Sequence, residues 1–434
     1  MPLKVAVVGS GPSGFYTVAA LLKADVECQI DVIERLPTPF GLIRGGVAPD
    51  HQKTKNVWRA YEKSALNEAV RYYGNVEVGR DITIDELAGI YDAVVLAVGS
   101  PLDRRLGIPG EDKKGVIGSA SFVGWYNGHP DFRDLNPNLD IQAAVVVGNG
   151  NVAVDCARVL AKTPEEMSTT DLTDYAAEAI HKSPLTDIYM CGRRGPVEAK
   201  FTNVELREMG QLEQCAPIVD PAQLPDEITG DFDDRDRRLR ERNLATLREF
   251  TEMSPDGKPK RLHFAFFTNP VEILGDDRVE AVKMERTAVQ DGRAVGTGEF
   301  VEIPCGLVIP AIGYYGEPFP GVPFDEKGGV VVHQDGRISD GVYAVGWIKR
   351  GPTGVIGTNK HDGDHAAQQI LTEIKEGGKP GRDQLETVLG ERDVRWVSYA
   401  DWKRIEEAEI ENASPGAPRR KFSRVDDMLS ALDG

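Results

Sequence analysis

The strongest constraint on this 434-residue chain is a pattern that occurs twice: an apolar run, a glycine-rich turn and an apolar-periodic helix. The first copy reads KVAVV and then GSGPSGFYTVAALLK, with Gly9, Gly11 and Gly14 in G-x-G-x-x-G spacing. The second reads AAVVVG and then NGNVAVDCARVLAK, with Gly148, Gly150 and Ala153 at the same spacing. The first glycine permits the tight turn, the second lets backbone approach a pyrophosphate, and the third small residue allows close packing of helix on strand. The helix N-terminus then faces the anion. Two such units predict an α/β chain that binds two dinucleotides.

The residue that ends the next strand after each glycine loop separates the two sites. Twenty residues beyond Gly14, after the strand-like CQIDVIE, stands Glu34, whose carboxylate suits the ribose hydroxyls of an unphosphorylated adenosine. After the second loop the corresponding run, TDIYMCGRRG, ends in Arg193 and Arg194 instead. A guanidinium pair at that place suits a 2′-phosphate and predicts NADP rather than NAD. Two solvated arginines in a turn are the plainer alternative.

Composition removes several function classes. A net charge of −18 argues against general affinity for nucleic acid, so an acidic partner must use a local basic patch. No apolar run approaches the roughly 20 residues of a membrane helix, and no secretory signal is evident, so a cytoplasmic address is the default. The five cysteines, Cys28, Cys156, Cys191, Cys215 and Cys305, never form C-x-x-C. A disulfide framework, a zinc site and a redox dithiol are therefore disfavoured, and no metal site is expected.

Two further glycine-ended strands, YDAVVLAVGS and GVYAVGW, resemble the turns of the two-dinucleotide flavoprotein family. That resemblance implies FAD at the first site and NADP(H) at the second. Most members carry an Asp at the end of the later turn, where this chain has Trp347. The segments LPTPFGLIRGGVAPDHQKTKNV, GRRGPVEAKFTNVELREMG and WIKRGPTGVIGTNK narrow the match. With them, nearly the whole chain resembles adrenodoxin reductase and its bacterial ferredoxin-NADP reductase relatives. The implied activity is hydride transfer from NADPH to FAD, then reversible single-electron transfer to an iron–sulfur ferredoxin.

The resemblance implies FAD contacts at Gly9, Gly11, Ser13, Gly14, Glu34, Leu42, Val78, Trp347, Gly354, Val355 and Ile356. It implies NADP contacts at Asn149, Gly150, Asn151, Val152, Arg193, Arg194, Glu205 and Gly354. Leu42 and Val78 read equally well as core positions on their own. The chemistry needs no nucleophile or metal, only a held nicotinamide and one managed proton. His51, which titrates near neutrality as a free side chain, is the candidate for that proton, with Glu208 its acidic companion by resemblance. Glu205 and Glu208 lie three apart and share a face of a helix predicted over 202–210. An ordinary polar helix face accounts for the same pair.

The order of motifs predicts two Rossmann-like domains, the NADP domain (105–316) inserted into a discontinuous FAD domain (1–104 and 317–434). Residues 226–252 are charge-dense and read as helical from about Arg237. Arg235, Arg237, Arg238, Arg240 and Arg242 there form a candidate patch for an acidic ferredoxin, or simply a solvated face. Rival functions are another two-dinucleotide flavoprotein, such as an NADPH-dependent monooxygenase or an electron-transfer subunit, and a non-enzymatic NADP sensor.

Overall fold

The runs KVAVV and CQIDVIE become adjacent parallel strands, Leu3–Val8 and Cys28–Ile33, in the computed structural model, which describes residues 1–375 and 377–433. The chain divides into two units. One comprises Met1–Leu102, Asn127–Pro130 and Tyr314–Gly434; the other comprises Asp103–Tyr126 and Asp131–Gly313.

The first unit is built on a six-stranded sheet in the order Arg337–Ser339, Val342–Ala344, Ala93–Leu96, Leu3–Val8, Cys28–Ile33, Val70–Tyr73. All pairings are parallel except that of the edge strand Arg337–Ser339. Continuous apolar runs fit such a sheet because both faces are covered. Along Leu3–Val8, Leu3, Val5 and Val7 enter one buried cluster while Ala6 and Val8 enter the cluster on the opposite face. Helix Pro12–Leu21 packs on helix Asn359–Glu373 so tightly that a Cβ on Gly363 would lie 2.6 Å from the Tyr16 carbonyl carbon.

The second unit repeats the logic with five parallel strands: Leu307–Pro310, Ala143–Val147, Asp187–Gly192, Lys260–Phe266, Cys215–Val219. An antiparallel sheet of Thr268–Leu274, Ala281–Gln290 and Arg293–Pro304 intervenes in sequence before the return strand Leu307–Pro310. In each sheet the glycine loop leaves a strand flanked on both sides, at the point where strand order reverses. Open α/β sheets bind ligands at such points. Among the described residues no helix is long and apolar enough to cross a membrane.

The last helices belong to the first unit and are tied into it by charge. Glu409, on helix Tyr399–Glu411, has a fully buried side chain. It accepts hydrogen bonds from Arg44 Nη1 at 2.8 Å and the Phe422 amide at 2.8 Å, and Arg419 Nη1 lies 3.5 Å away. Lys421 Nζ donates to the carbonyls of Arg44 and Asn127, each at 3.1 Å. This ties the short Asn127–Pro130 excursion, which nothing in the residue pattern marks as separate, to the tail. Removing one partner of a buried ion pair strands the other and costs about 3–5 kcal/mol. Glu409→Ala is therefore expected to lower the melting temperature clearly and to speed tryptic cleavage after Arg419, Arg420 or Lys421, read by calorimetry and limited proteolysis.

Candidate functional site

The first glycine loop closes against backbone at two points. Gly9 has φ +105°, and a Cβ there would lie 2.5 Å from the Ala97 carbonyl oxygen. A Cβ on Gly14 would lie 2.1 Å from the Gly9 oxygen. Only glycine satisfies both. Gly11 is the N-cap of helix Pro12–Leu21 without any capping side chain, so the first-turn amides stay open to an anion. Ser13 is buried, and its Oγ would lie 2.6 Å from a Cβ on Gly346. Glu34 sits half-buried at the end of the second strand. Its Oε2 accepts from the Ser10 amide at 3.0 Å and hydroxyl at 2.6 Å, and its Oε1 from the Leu36 amide at 3.2 Å. The carboxylate is thereby fixed beside the loop with acceptor capacity left over.

The proline- and glycine-rich stretch 32–53 folds back over this loop. A Cβ on Gly41 would lie 3.0 Å from Gly11 Cα. Phe40, just before it, adopts φ +82°, a conformation costly for a residue with a Cβ. Burial among Phe15, Trp58, Tyr61 and Trp402, with centroids 5.7 to 6.3 Å away, holds it there. Leu42 then presents an exposed side chain beside the loop, while Val78 is buried in the core. His51 is half-buried and starts the short helix Gln52–Lys55, its carbonyl accepting the Thr54 amide at 3.0 Å.

The later turn supplies a third side within the same unit. Trp347 opens helix Trp347–Arg350, packs 5.7 Å from Tyr314, and donates from Nε1 to the Thr353 carbonyl at 3.2 Å. Gly354, with φ +83°, and Val355 are exposed, and Ile356 leads into the 15-residue helix Asn359–Glu373. Arg350, which ends this short helix, pairs with Asp362 at 2.7 Å.

In the second unit Gly148, φ +147°, packs against the Ala311 oxygen, which a Cβ would approach to 2.3 Å. Gly150 caps helix Asn151–Ala161 without a side chain, and a Cβ on it would meet nothing within 4 Å. Asn149 Oδ1 is buried with no hydrogen-bond partner among the described residues. A cradle open at Gly150 with an acceptor waiting beside it fits a dinucleotide. Asn151 Oδ1 accepts the Thr202 amide at 2.8 Å, and Val152 lies half-buried in the first turn. Arg193 and Arg194 follow strand Asp187–Gly192, one exposed and one half-buried. Their carbonyls are anchored by Thr287 Oγ1 at 2.8 Å and the Phe267 amide at 3.2 Å. Among the described residues no salt bridge is formed by either guanidinium.

The helix predicted over 202–210 spans Asn203–Glu208, capped by Thr202, and carries Glu205 and Glu208. Both reach Arg158, a fully buried arginine on helix Asn151–Ala161, at 3.3 and 3.5 Å. Sequence reasoning missed Arg158. The signal was present: a guanidinium four residues after Val154 and three before Ala161, on the apolar face of its helix.

The basic patch is less uniform than its sequence. Its helix begins earlier than expected, at Asp234, because the Asp233 side chain caps the Arg235 and Asp236 amides. Arg237 donates to the Ile228 and Gly230 carbonyls at 3.3 and 3.1 Å, and Arg240 to that of Val197 while lying 4.1 Å over Phe232. Arg235, Arg238 and Arg242 remain exposed.

A family model for pyridine nucleotide-disulphide oxidoreductases matches residues 3–190. NADPH-ferredoxin reductase FprA of Mycobacterium tuberculosis (strain ATCC 25618 / H37Rv) is 41% identical over 450 residues, covering 99% of this chain and 98% of that protein. The mitochondrial NADPH:adrenodoxin oxidoreductase of Bos taurus is 40% identical over 452 residues, covering 99% and 92%. A solved structure of Mycobacterium tuberculosis FprA in complex with NADPH has a TM-score of 0.94 at 40% identity and full coverage of both chains. Charge-assisted hydrogen bonds contribute about 1.5–3 kcal/mol each. Arg193→Ala with Arg194→Ala is accordingly expected to weaken binding of 2′-phospho-ADP-ribose by about 100-fold or more, leaving ADP-ribose unchanged, as measured by calorimetry.

Proposed function

The chain belongs to the family of NADPH-ferredoxin and NADPH:adrenodoxin reductases, and on that premise we propose that it is an FAD-dependent oxidoreductase passing electrons from NADPH to an iron–sulfur ferredoxin. The observation that carries this reading is likeness of sequence and backbone over the whole chain to FprA and, in sequence, to adrenodoxin oxidoreductase. The disulphide chemistry in the matched family's description finds no support in the thiols. All five cysteines are buried, and burial pushes Cys191, Cys215 and Cys305 up to about 12, far from a reactive thiolate.

Bound FAD supplies hydride acceptance and one-electron release, so the protein's task is to bind, orient and manage a proton. The loop Gly9–Gly14 and the start of helix Pro12–Leu21 hold the pyrophosphate, and Glu34 holds the adenosine ribose. Phe40, Gly41 and Leu42 would cover the cofactor, and Trp347 and residues 354–356 would help hold its flavin end. Val78, inside the core, supports that wall rather than exposing a polar contact. In the second unit, residues 149–152 and the Arg193/Arg194 pair take NADPH. Glu205 orients the nicotinamide end, and His51 and Glu208 exchange the proton.

Arg235, Arg238 and Arg242 form the docking patch, whereas Arg237 and Arg240 are committed to holding backbone. This differs from a five-arginine surface in a checkable way. Reversing the charge of the three exposed arginines should raise the KM for ferredoxin about tenfold at low salt and flatten its salt dependence. An unchanged KM would remove the patch from the mechanism. As purified, the protein should be yellow, be bleached anaerobically by NADPH and recover colour with ferredoxin; colourless, flavin-free protein would sink the reading. His51→Gln should slow flavin reduction about 100-fold and alter its pH profile, since positioned acid–base groups typically contribute 10²–10⁴-fold. An unaltered rate and profile would reduce stretch 32–53 to a cofactor clamp.

A further inference from the structure

The second unit contains a charge arrangement that packing alone does not call for. Arg158 has no exposed side-chain surface, yet each nitrogen of its guanidinium addresses a different carboxylate. Nη2 meets Asp155 Oδ1 at 2.8 Å, Nη1 meets Glu205 Oε2 at 3.3 Å, and Nε meets Glu208 Oε2 at 3.5 Å. Asp155 sits on the same helix, one turn back, and the two glutamates come from helix Asn203–Glu208. One buried positive charge thus gathers three carboxylates from two elements.

Such a cluster is a poor way to gain stability. Desolvating a guanidinium is costly, and well-packed apolar residues often serve as well or better. What the planar fork provides is direction, because its donors point along fixed lines. Arg158 engages one oxygen of each glutamate, and the two side chains stay partly exposed, 18% for Glu205 and 32% for Glu208. Arg158 itself, fully covered, has no surface to offer a ligand. Thr202 adds a second anchor: its amide bonds Asn151 Oδ1 and its hydroxyl caps the Glu205 amide, so the acidic helix is registered on the glycine-loop helix at both ends.

We propose that Arg158 is a positioning residue for the reductive half-reaction, fixing the partly exposed Glu205 and Glu208 carboxylates in the orientation that serves the nicotinamide end of NADPH. The inference rests on the assignment of those two glutamates under the proposed function. It predicts that the nicotinamide half of the nucleotide is sensed through Arg158 and the adenosine half is not.

The test uses flavin-loaded full-length protein with Arg158→Met and Arg158→Lys. Calorimetry with NADP+ and with 2′,5′-ADP separates the two halves of the ligand without turnover. Arg158→Met should weaken NADP+ about tenfold and leave 2′,5′-ADP unchanged, with Arg158→Lys in between. In stopped flow, flavin reduction by NADPH, expressed per bound flavin, should slow at least tenfold. Reoxidation of photoreduced flavin by ferredoxin should stay at the wild-type rate. Equal weakening of both ligands, or parallel slowing of both half-reactions, would make Arg158 a purely structural residue and overturn the proposal. So would wild-type binding and reduction in either folded variant. Should Arg158→Met fail to fold, Arg158→Lys decides, since it keeps the charge and loses the fork. Wild-type protein that NADPH does not reduce would instead overturn the functional reading.

Discussion

Everything in both units hangs on one kind of contact: backbone touching backbone where a strand turns into a helix. At Gly9 and Gly148 the following or neighbouring strand presents a carbonyl oxygen so close that a methyl group would sit 2.5 or 2.3 Å away. A side chain at either place would push the helix off the sheet. The helix N-terminus would then no longer point at an anion, and the residues at the ends of the adjacent strands would lose their relation to it. The positions of Glu34 and of Arg193 and Arg194 relative to the two loops depend on those turns being tight. The two loops differ in surroundings. The first is roofed by Gly41, whereas Gly150 in the second faces open space, so the two loops are unequally covered within their own units.

The fold was legible because its signals are local. Strand, glycine loop and helix are contiguous, and the identity of the residue ending the next strand lies within a few tens of positions. The order of motifs suggests boundaries at 104/105 and 316/317; the two units change over at 102/103 and 313/314, and Asn127–Pro130 belongs with the first. Legibility failed where partners are far apart in sequence. Arg158 was overlooked because its meaning comes from carboxylates about fifty positions away. The basic helix misled for the complementary reason: five arginines look alike in sequence, but after folding three of them donate to backbone carbonyls, and two of those three, Arg237 and Arg240, become half-buried in doing so. Charge can be counted from sequence, but whether it is available depends on tertiary structure.

Phe40 illustrates how strain is maintained. Its left-handed backbone conformation is unfavourable alone, and four aromatic neighbours make the alternative worse. Trp402 among them comes from helix Tyr399–Glu411, and Arg44, four residues beyond Phe40, lies 5.2 Å over the same indole. The cover of the first nucleotide loop is therefore shaped jointly by the N-terminal turn and by residues near the other end of the sequence. A change at the far end of the chain can alter the nucleotide site without touching any residue that contacts a ligand.

The Arg44–Glu409 pair has a temporal meaning as well. Its members are 365 positions apart. At translation speeds of roughly 5–20 residues per second, Arg44 waits on the order of 20–70 s for its partner to be made. During that interval the whole second unit, whose strands all lie between residues 103 and 313, has emerged and can close around its own core. The inner domain thus has its parts before the outer one that encloses it in sequence. The turn over the first nucleotide loop acquires its final shape only when the last helices arrive. The shape of that turn is thus completed late in synthesis, as a consequence of connectivity.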